Sequence, residues 1–171
     1  MTETPVTRAN ILPPDPKLDL TITRVLDAAP ELIWRAWTVP EHFKSWFCPR
    51  PWYVSECDID LRPAGLFGMV MCGPNGERIN IVDTYLDVVP NERLVWTSTM
   101  GPGFRPNPPK TEDPADDFPF TAIITLAPSG KGTKYTATMA HGDEDSARKH
   151  ESLGFYGQWE KMTDQLIESL R

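Results

Sequence analysis

The stretch FYGQWEKMTDQLIESL, residues 155–170, decides how the chain folds. Within it Phe155, Trp159, Met162, Leu166 and Leu170 recur at spacings of four and three residues, which places them on one face of an amphipathic helix. The opposite face carries charged and amide side chains. The sequence therefore predicts a long C-terminal helix that packs its apolar face on a core.

The beginning of this helix has signals of its own. Asp143 or Asp145 is suited to accept a hydrogen bond from a free N–H group of the first helical turn. Gly154 and Gly157 fall inside the helical pattern, and each costs about 1 kcal/mol relative to alanine in a helix interior. We therefore expect a kink, or the close approach of another segment, near these two glycines.

The preceding chain mostly alternates apolar and polar residues, the period of half-buried β-strands. The first such segment, residues 18–24, is followed by two short helices that open at Pro30 and Pro40, because proline suits the first turn of a helix. Further alternating segments are separated by turn residues such as those at 73–76. They predict antiparallel strands at 53–62, 66–72, 80–89, 93–100, 118–127 and 133–141.

This order of elements predicts an α+β fold with a curved antiparallel sheet of about seven strands around the C-terminal helix. An antiparallel sheet must bury one face, and the last helix is the only predicted element long enough to cover it. Because a curved sheet touches a straight helix over only part of its length, we expect an internal cavity walled by inner-face residues.

Length and charge narrow the class of protein. The 171 residues fit one domain, predicted at residues 18–171, and the proline-rich residues 1–17 are expected to form a flexible arm. A formal net charge of −7 argues against nucleic acid and anionic membranes as partners. No apolar run is long enough to span a bilayer. With three widely spaced cysteines and no signal peptide, a cytoplasmic protein with reduced thiols is expected.

Aromatic and methionine side chains dominate the predicted inner face, and such residues typically line pockets for small apolar molecules. The same residues would serve equally well as ordinary core, so both interpretations stay open. The candidate ligand-binding residues are Trp46, Phe67, Met69, Met71, Trp96, Met100, Phe120, Tyr135, Met139, His141, Phe155 and Trp159, and Ile124 shares their face.

Catalytic and metal-binding signatures are missing from the sequence. His141 is expected either at the cavity mouth or, as the favoured interpretation, bonded to a loop carbonyl, whereas His42 and His150 are predicted on helix surfaces without a role. Cys48 at a helix end is a poor nucleophile, because a helix C-terminus disfavours the thiolate. We expect no metal and no cofactor. The proline-rich segment 101–117 is either a lid over the cavity or a β-hairpin extension.

Several stretches spread along the chain form a set typical of one known family. They are LTITR (20–24), PELIWRAWT (30–38), PEHF (40–43), Trp46, DLRP (60–63), VPNERLV (89–95) and GFYGQW (154–159). With them, the chain from about residue 18 to 170 resembles the START-like (SRPBCC) superfamily, and within it the branch named after the C-terminal domain of the heat-shock-protein-90 ATPase activator. The resemblance implies a helix-grip fold, in agreement with the element order. It implies no catalytic residue, and at one departure, Val39 in place of the usual Asp, Thr38 is expected to cap the second helix instead.

The leading hypothesis is a binding protein for a small hydrophobic molecule such as a lipid, an aromatic or a polyketide-like compound. The first alternative is a cyclase or dehydratase acting on an aromatic or polyketide-like substrate, with His141, Tyr135 and Asp143 as acid or base candidates. The second alternative is an interaction module, either a chaperone partner or a homodimer, which would expose a contiguous apolar patch.

Overall fold

The computed structural model describes residues 13–110 and 118–171, so most of the predicted arm and residues 111–117 of the predicted lid lie outside it. Four α-helices are present in these ranges: α1 (Pro30–Thr38), α2 (Pro40–Phe43), α3 (Glu144–Ser152) and α4 (Phe155–Ser169). The strands are β1 (Asp19–Leu26), β2 (Tyr53–Ile59), β3 (Leu66–Cys72), β4 (Arg78–Val89), β5 (Arg93–Thr97), β6 (Met100–Gly101), β7 (Arg105–Pro106), β8 (Phe120–Ser129) and β9 (Gly132–His141).

Seven strands form one antiparallel sheet in the order β1-β9-β8-β5-β4-β3-β2. Consecutive strands pair as neighbours, except that β1 returns to pair with β9, where Asp19 faces Ala140 and Leu26 faces Thr133. This curved sheet with α4 against its inner face is the helix-grip fold that the element order predicts, and the predicted fold class is confirmed.

Helices α1 and α2 begin at Pro30 and Pro40, as predicted. The prediction that Thr38 caps α2 is wrong: Val39 occupies the N-cap position, and the Thr38 hydroxyl donates back to the carbonyl of Trp34 at 2.7 Å. The physical reason is that Thr38 is still the last residue of α1, where a threonine hydroxyl reaches the carbonyl four residues earlier.

The predicted C-terminal helix is two helices with a break between them. Asp143 caps α3, as one of the two predicted alternatives, by accepting a hydrogen bond from the Ser146 N–H at 2.7 Å. The break falls at Gly154, whose φ of 93° lies in the left-handed region that favours glycine. Gly157 continues α4 without a break, so the prediction of a kink holds at the first of the two glycines.

Two other segments depart from simple alternation. A register shift between Val54 and Glu56 lets Val54 turn inward while Tyr53 is exposed, because one extra residue in a strand reverses the side-chain alternation. In the 101–117 segment, β6 and β7 pair around a short 3-10 turn, Pro102–Phe104. The described part of that segment is therefore a hairpin, and the Asn107 side chain ties it to the carbonyls of Val82 and Ser98 at 3.0 and 3.1 Å.

An aromatic cluster closes one end of the sheet. Trp37 of α1 is its centre, and the ring centroids of Trp46 and Trp96 lie 4.9 and 5.3 Å from its own. The indole N–H of Trp46 donates to the carbonyl of Ala36 at 2.8 Å, so this buried polar group is satisfied. The cluster packs α1 and α2 against one end of the sheet. It does not fill the space on the other side of Trp96.

Candidate functional site

A cavity of about 490 Å³ lies between the inner face of the sheet and helices α3 and α4. Its floor is built mainly from β3 and β4, where three cross-strand pairs join Phe67 to Asp83, Met69 to Ile81 and Met71 to Ile79. All six residues share one face because side chains alternate along each strand. The floor is therefore a continuous apolar surface with a single carboxyl group at one corner.

The roof comes from the first half of α4, where Trp159 and Met162 face the floor and Gln158 adds an amide at the edge. Trp96 of β5 and Met139 of β9 close the cavity towards the middle of the sheet. Methionine side chains are flexible and adapt to ligands of varied shape, and the indole of a tryptophan offers a large apolar surface. The residues that surround the central space are thus almost entirely apolar.

Residues 47–49 form one end wall, and Gln165 of α4 holds the chain on either side of them. Its amide nitrogen donates to the carbonyls of Trp46 at 2.8 Å and Cys48 at 2.7 Å, and its oxygen accepts from the Arg50 N–H at 3.0 Å. Cys48 has a φ of 76°, a left-handed conformation that costs a non-glycine residue about 1–2 kcal/mol. Gln165 therefore fixes a strained turn that forms part of the cavity surface.

The first polar group in the cavity is Asp83, which is only 3% exposed. Its Oδ1 lies 3.6 Å from the Nζ of Lys110, which comes from the segment after the β6–β7 hairpin. Burial raises the pKa of Asp83 to about 6, and the Lys110 ammonium partly opposes that rise. The carboxyl is thus held in an environment that disfavours its charge, next to one cation.

The second polar group is His150 of α3, which lies in a chain of hydrogen bonds. Nδ1 of His141 is 2.8 Å from the carbonyl oxygen of Leu18, and Nε2 of His141 is 2.9 Å from Nδ1 of His150. Burial first, and the neighbouring His141 second, lower the pKa of His150 to about 4. His150 is consequently a neutral imidazole at neutral pH.

Seven of the twelve candidate ligand-binding residues line the cavity: Phe67, Met69, Met71, Trp96, Phe120, Met139 and Trp159. The other five do not line it. Trp46 belongs to the aromatic cluster around Trp37, and Tyr135 and Phe155 are packed in the core. Met100 lies half-buried in β6, and His141 lies behind His150. Ile124 is also core. Alternation along a strand predicts which residues lie on the inner face of the sheet. Whether such a residue packs in the core or lines the cavity depends on where α4 lies against the sheet.

The structure corrects the prediction for His150 and adds residues that the sequence analysis did not single out. His150 is not an incidental surface residue: it is half-buried and lines the cavity, because the break at Gly154 changes the direction of α3 relative to α4. Ile79, Ile81 and Asp83 follow the alternation of β4, a signal that was available in the sequence. The remaining additions are Phe47, Cys48, Pro49, Ser98, Lys110, Phe118, Gln158 and Met162.

The acid and base candidates from the sequence do not meet in this cavity. Tyr135 is buried away from it, and Asp143 is the exposed cap of α3. His141 bonds to a loop carbonyl, as its favoured interpretation has it. Across residues 13–110 and 118–171 no group of three or more His, Cys, Asp or Glu side chains is placed to hold a metal ion.

The three cysteines are free thiols, and burial disfavours the thiolate form of two of them. Cys48, Cys57 and Cys72 form no disulfide. Burial, with a smaller contribution from Cys72, raises the pKa of Cys48 to about 12, and burial likewise raises the pKa of Cys57 to about 11. A thiolate nucleophile at Cys48 is therefore disfavoured, as the sequence predicts, but the cause is burial and not a helix end, because α2 ends at Phe43. No helix in the described ranges is both long and apolar enough to cross a membrane.

Solved structures share this architecture. A protein from Nitrosomonas europaea is 38% identical, with a TM-score of 0.85 over 91% of this chain and 96% of its own. A protein from Mycobacterium smegmatis is 22% identical, with a TM-score of 0.72 and 91% of each chain covered. One from Rhodobacter sphaeroides is 20% identical, with a TM-score of 0.75 over 92% of this chain and 95% of its own. The latter two likenesses concern the fold alone.

A comparison with curated proteins yields no significant match. The family model described as "Activator of Hsp90 ATPase homolog 1-like protein" matches residues 27–171, which is most of the chain. The resemblance drawn from the sequence stretches at 30–38, 40–43 and 154–159 is confirmed by this match. The chain therefore belongs to the family of Activator of Hsp90 ATPase homolog 1-like proteins.

Proposed function

We propose that this protein binds a small hydrophobic molecule in the cavity between its sheet and helices α3 and α4. The observation that carries the proposal is the cavity itself, about 490 Å³ of space surrounded mostly by aromatic, aliphatic and thioether side chains. Pockets for small molecules commonly measure about 300–1,000 Å³ and have this composition. START-like folds such as this one commonly bind hydrophobic ligands, which supports the same function.

The few polar groups sit at the margins of the apolar surface, which suits a ligand that is apolar in its body and polar at one point. Asp83 and Lys110 lie at one corner of the β4 floor, and His150 lies on α3. Removing an apolar ligand from water is worth about 25 cal/mol per Å² of buried surface. The apolar walls would thus supply the affinity, and the polar groups would select the ligand.

An uncharged fluorescent probe, N-phenyl-naphthylamine, tests the proposal in solution. Its emission is expected to rise and shift to the blue when it enters the cavity, and saturation at about 100 times the dissociation constant should stabilise the fold by about 2.7 kcal/mol. Thermal unfolding with and without the probe measures that second effect. A screen of lipids, phenolics and polyketide-like compounds by displacement of the probe then ranks the ligand classes.

Two tryptophan variants on neighbouring positions of β4 separate binding in the cavity from adsorption to the surface. Ile81→Trp places an indole in the cavity, whereas Asn80→Trp places the same indole on the opposite, exposed face of the strand. Ile81→Trp should weaken the probe by about tenfold or more, which corresponds to 1.4 kcal/mol, and Asn80→Trp should leave it nearly unchanged. Equal affinity in both variants would refute binding at this cavity.

We also propose a cytoplasmic location. The supporting observation is that all three cysteines are free thiols, which is usual in reducing compartments. Fractionation of cells that express the full chain, followed by immunoblotting, checks this assignment.

A further inference from the structure

The hydrogen-bond chain that ends at His150 fixes which of its ring nitrogens carries the proton. The carbonyl oxygen of Leu18 accepts hydrogen bonds only, so Nδ1 of His141, 2.8 Å away, must carry a hydrogen. In a neutral imidazole the other nitrogen is then a bare acceptor. Nε2 of His141 therefore accepts from Nδ1–H of His150 across 2.9 Å.

It follows that Nε2 of His150 is unprotonated when both rings are neutral. This atom has no hydrogen-bond partner among residues 13–110 and 118–171. His150 is half-buried and lines the cavity, so this acceptor is left available to a group that enters the cavity. The fold thus holds a hydrogen-bond acceptor of fixed tautomer at the apolar cavity.

Aromatic rings surround this imidazole. The ring centroids of Phe118, Phe120 and Phe155 lie 4.7, 5.2 and 5.3 Å from that of His150. Phe118 and Phe120 line the cavity together with His150. Phenyl rings that line a cavity, as Phe118 and Phe120 do, pack with a further flat ring in offset or edge-to-face geometry. The surroundings of the acceptor are therefore matched to an aromatic partner rather than to a flexible chain.

We propose that the cavity selects uncharged aromatic ligands that carry a hydroxyl group, and that this hydroxyl donates its hydrogen to Nε2 of His150. The inference rests on the proposed function and names the ligand class for the same cavity. An ether or carbonyl group in the same place offers no hydrogen to Nε2, and a phenolate has none either. The selection is therefore for a neutral phenol-type hydroxyl over isosteric acceptors.

The tautomer is measurable without any ligand. In the unmodified protein at pH about 8, above the usual histidine pKa of about 6.5, the ¹⁵N shifts of His150 should show a protonated Nδ1 and a bare Nε2. His42, which is exposed on α2, serves as the internal reference for an unconstrained ring. A His150 ring protonated on Nε2 would overturn the proposal, because that atom would then be a donor.

Ligand selection is tested with naphthol, naphthalene and methoxynaphthalene, which share one ring system. The ratio of the naphthalene to the naphthol dissociation constant should fall by about three- to tenfold in His150→Phe, the effect of one neutral hydrogen bond. The comparison within each protein cancels the different hydration of the two compounds. Methoxynaphthalene should show no such change relative to naphthalene, and His42→Phe should behave like the unmodified protein.

The outcomes separate this inference from the function on which it rests. If all three compounds bind and His150→Phe leaves their ratios unchanged, the hydroxyl assignment is wrong while the hydrophobic cavity stands. If none of the three compounds, nor the fluorescent probe, binds the unmodified protein, the proposed function itself fails and this inference falls with it. If His150→Phe does not fold, the ¹⁵N measurement on the unmodified protein still decides the tautomer.

Discussion

Replacement of Gln165 by leucine is the most direct test of how α4 holds the end wall of the cavity. The Gln165 side chain makes three hydrogen bonds of 2.7, 2.8 and 3.0 Å to main-chain groups of residues 46–50, and the residue is only 5% exposed. Leucine has a similar volume but no polar atoms. The variant therefore removes the hydrogen bonds without leaving a large void.

The magnitude follows from the number of main-chain groups left unpaired. Each lost hydrogen bond is worth about 1 kcal/mol net, and a buried main-chain group left without a partner costs about 1–3 kcal/mol. With three such groups and partial relaxation towards solvent, Gln165→Leu should lower the free energy of unfolding by about 3–5 kcal/mol. That is a large part of the roughly 5–15 kcal/mol by which most domains are stable.

Urea unfolding followed by tryptophan fluorescence measures this loss. With a slope of about 2 kcal/mol per molar urea, the midpoint should fall by about 2 M. Glu168→Ala is the matched control on the same helix, because it removes only an exposed ion pair to Arg50 at 3.3 Å and should cost less than about 1 kcal/mol. A loss below about 1 kcal/mol in Gln165→Leu would refute the conclusion that Gln165 holds residues 46–50 in place, because three buried main-chain groups left unpaired should cost more than that.

Three further predictions address other residues. The pKa of Asp83 rises from 3.8 to about 6 on folding, so its contribution to stability is fully present below pH about 4 and is lost as the pH rises through 6. Urea unfolding across this pH range should show a loss of stability approaching about 3 kcal/mol relative to Asp83→Asn. A difference between the two proteins that does not change with pH would contradict the raised pKa. With its pKa raised to about 12, Cys48 should react with iodoacetamide at pH about 8 on the order of a thousandfold more slowly than an ordinary thiol. Peptide mass spectrometry measures this rate, and Cys48 should label fully in urea. Equal labelling rates with and without urea would contradict the burial of Cys48. Gly154→Ala should destabilise the fold by about 1–2 kcal/mol because the φ of Gly154 is 93°. Gly157→Ala, with no atom within 4 Å of the added Cβ, should instead stabilise it by about 0.5–1 kcal/mol. If the thermal unfolding midpoints of both variants moved in the same direction, that result would argue against the helix break.

Structural features that depend only on short stretches of the chain could be predicted from the sequence. The alternation of Phe67, Met69 and Met71 fixes a strand face, and the spacing of Phe155, Trp159 and Met162 fixes a helix face, because both depend only on backbone period. Proline at 30 and 40 and aspartate at 143 act within one helical turn of their own positions. The sheet, the helices and most of the cavity floor follow from such local rules.

Features that depend on distant contacts were not predictable in this way. His150 joins the cavity only because α3 and α4 diverge at Gly154 and because β9 carries His141 to its side. Lys110 reaches Asp83 through the hairpin anchored by Asn107, across 27 positions of sequence from 83 to 110. The inward turn of Val54 depends on a single irregular residue in β2, which alternation cannot reveal.

The division of the C-terminal segment at Gly154 also separates two kinds of evolutionary constraint. Helix α4 buries Phe155, Trp159, Met162, Thr163, Gln165 and Leu166, whereas α3 buries Ala147 alone. Substitutions at these six buried positions of α4 therefore endanger the whole fold, while most positions of α3 are free to change at little thermodynamic cost. A lineage could thus exchange His150 for another side chain that donates to Nε2 of His141, and acquire a different chemical preference while it inherits the same scaffold.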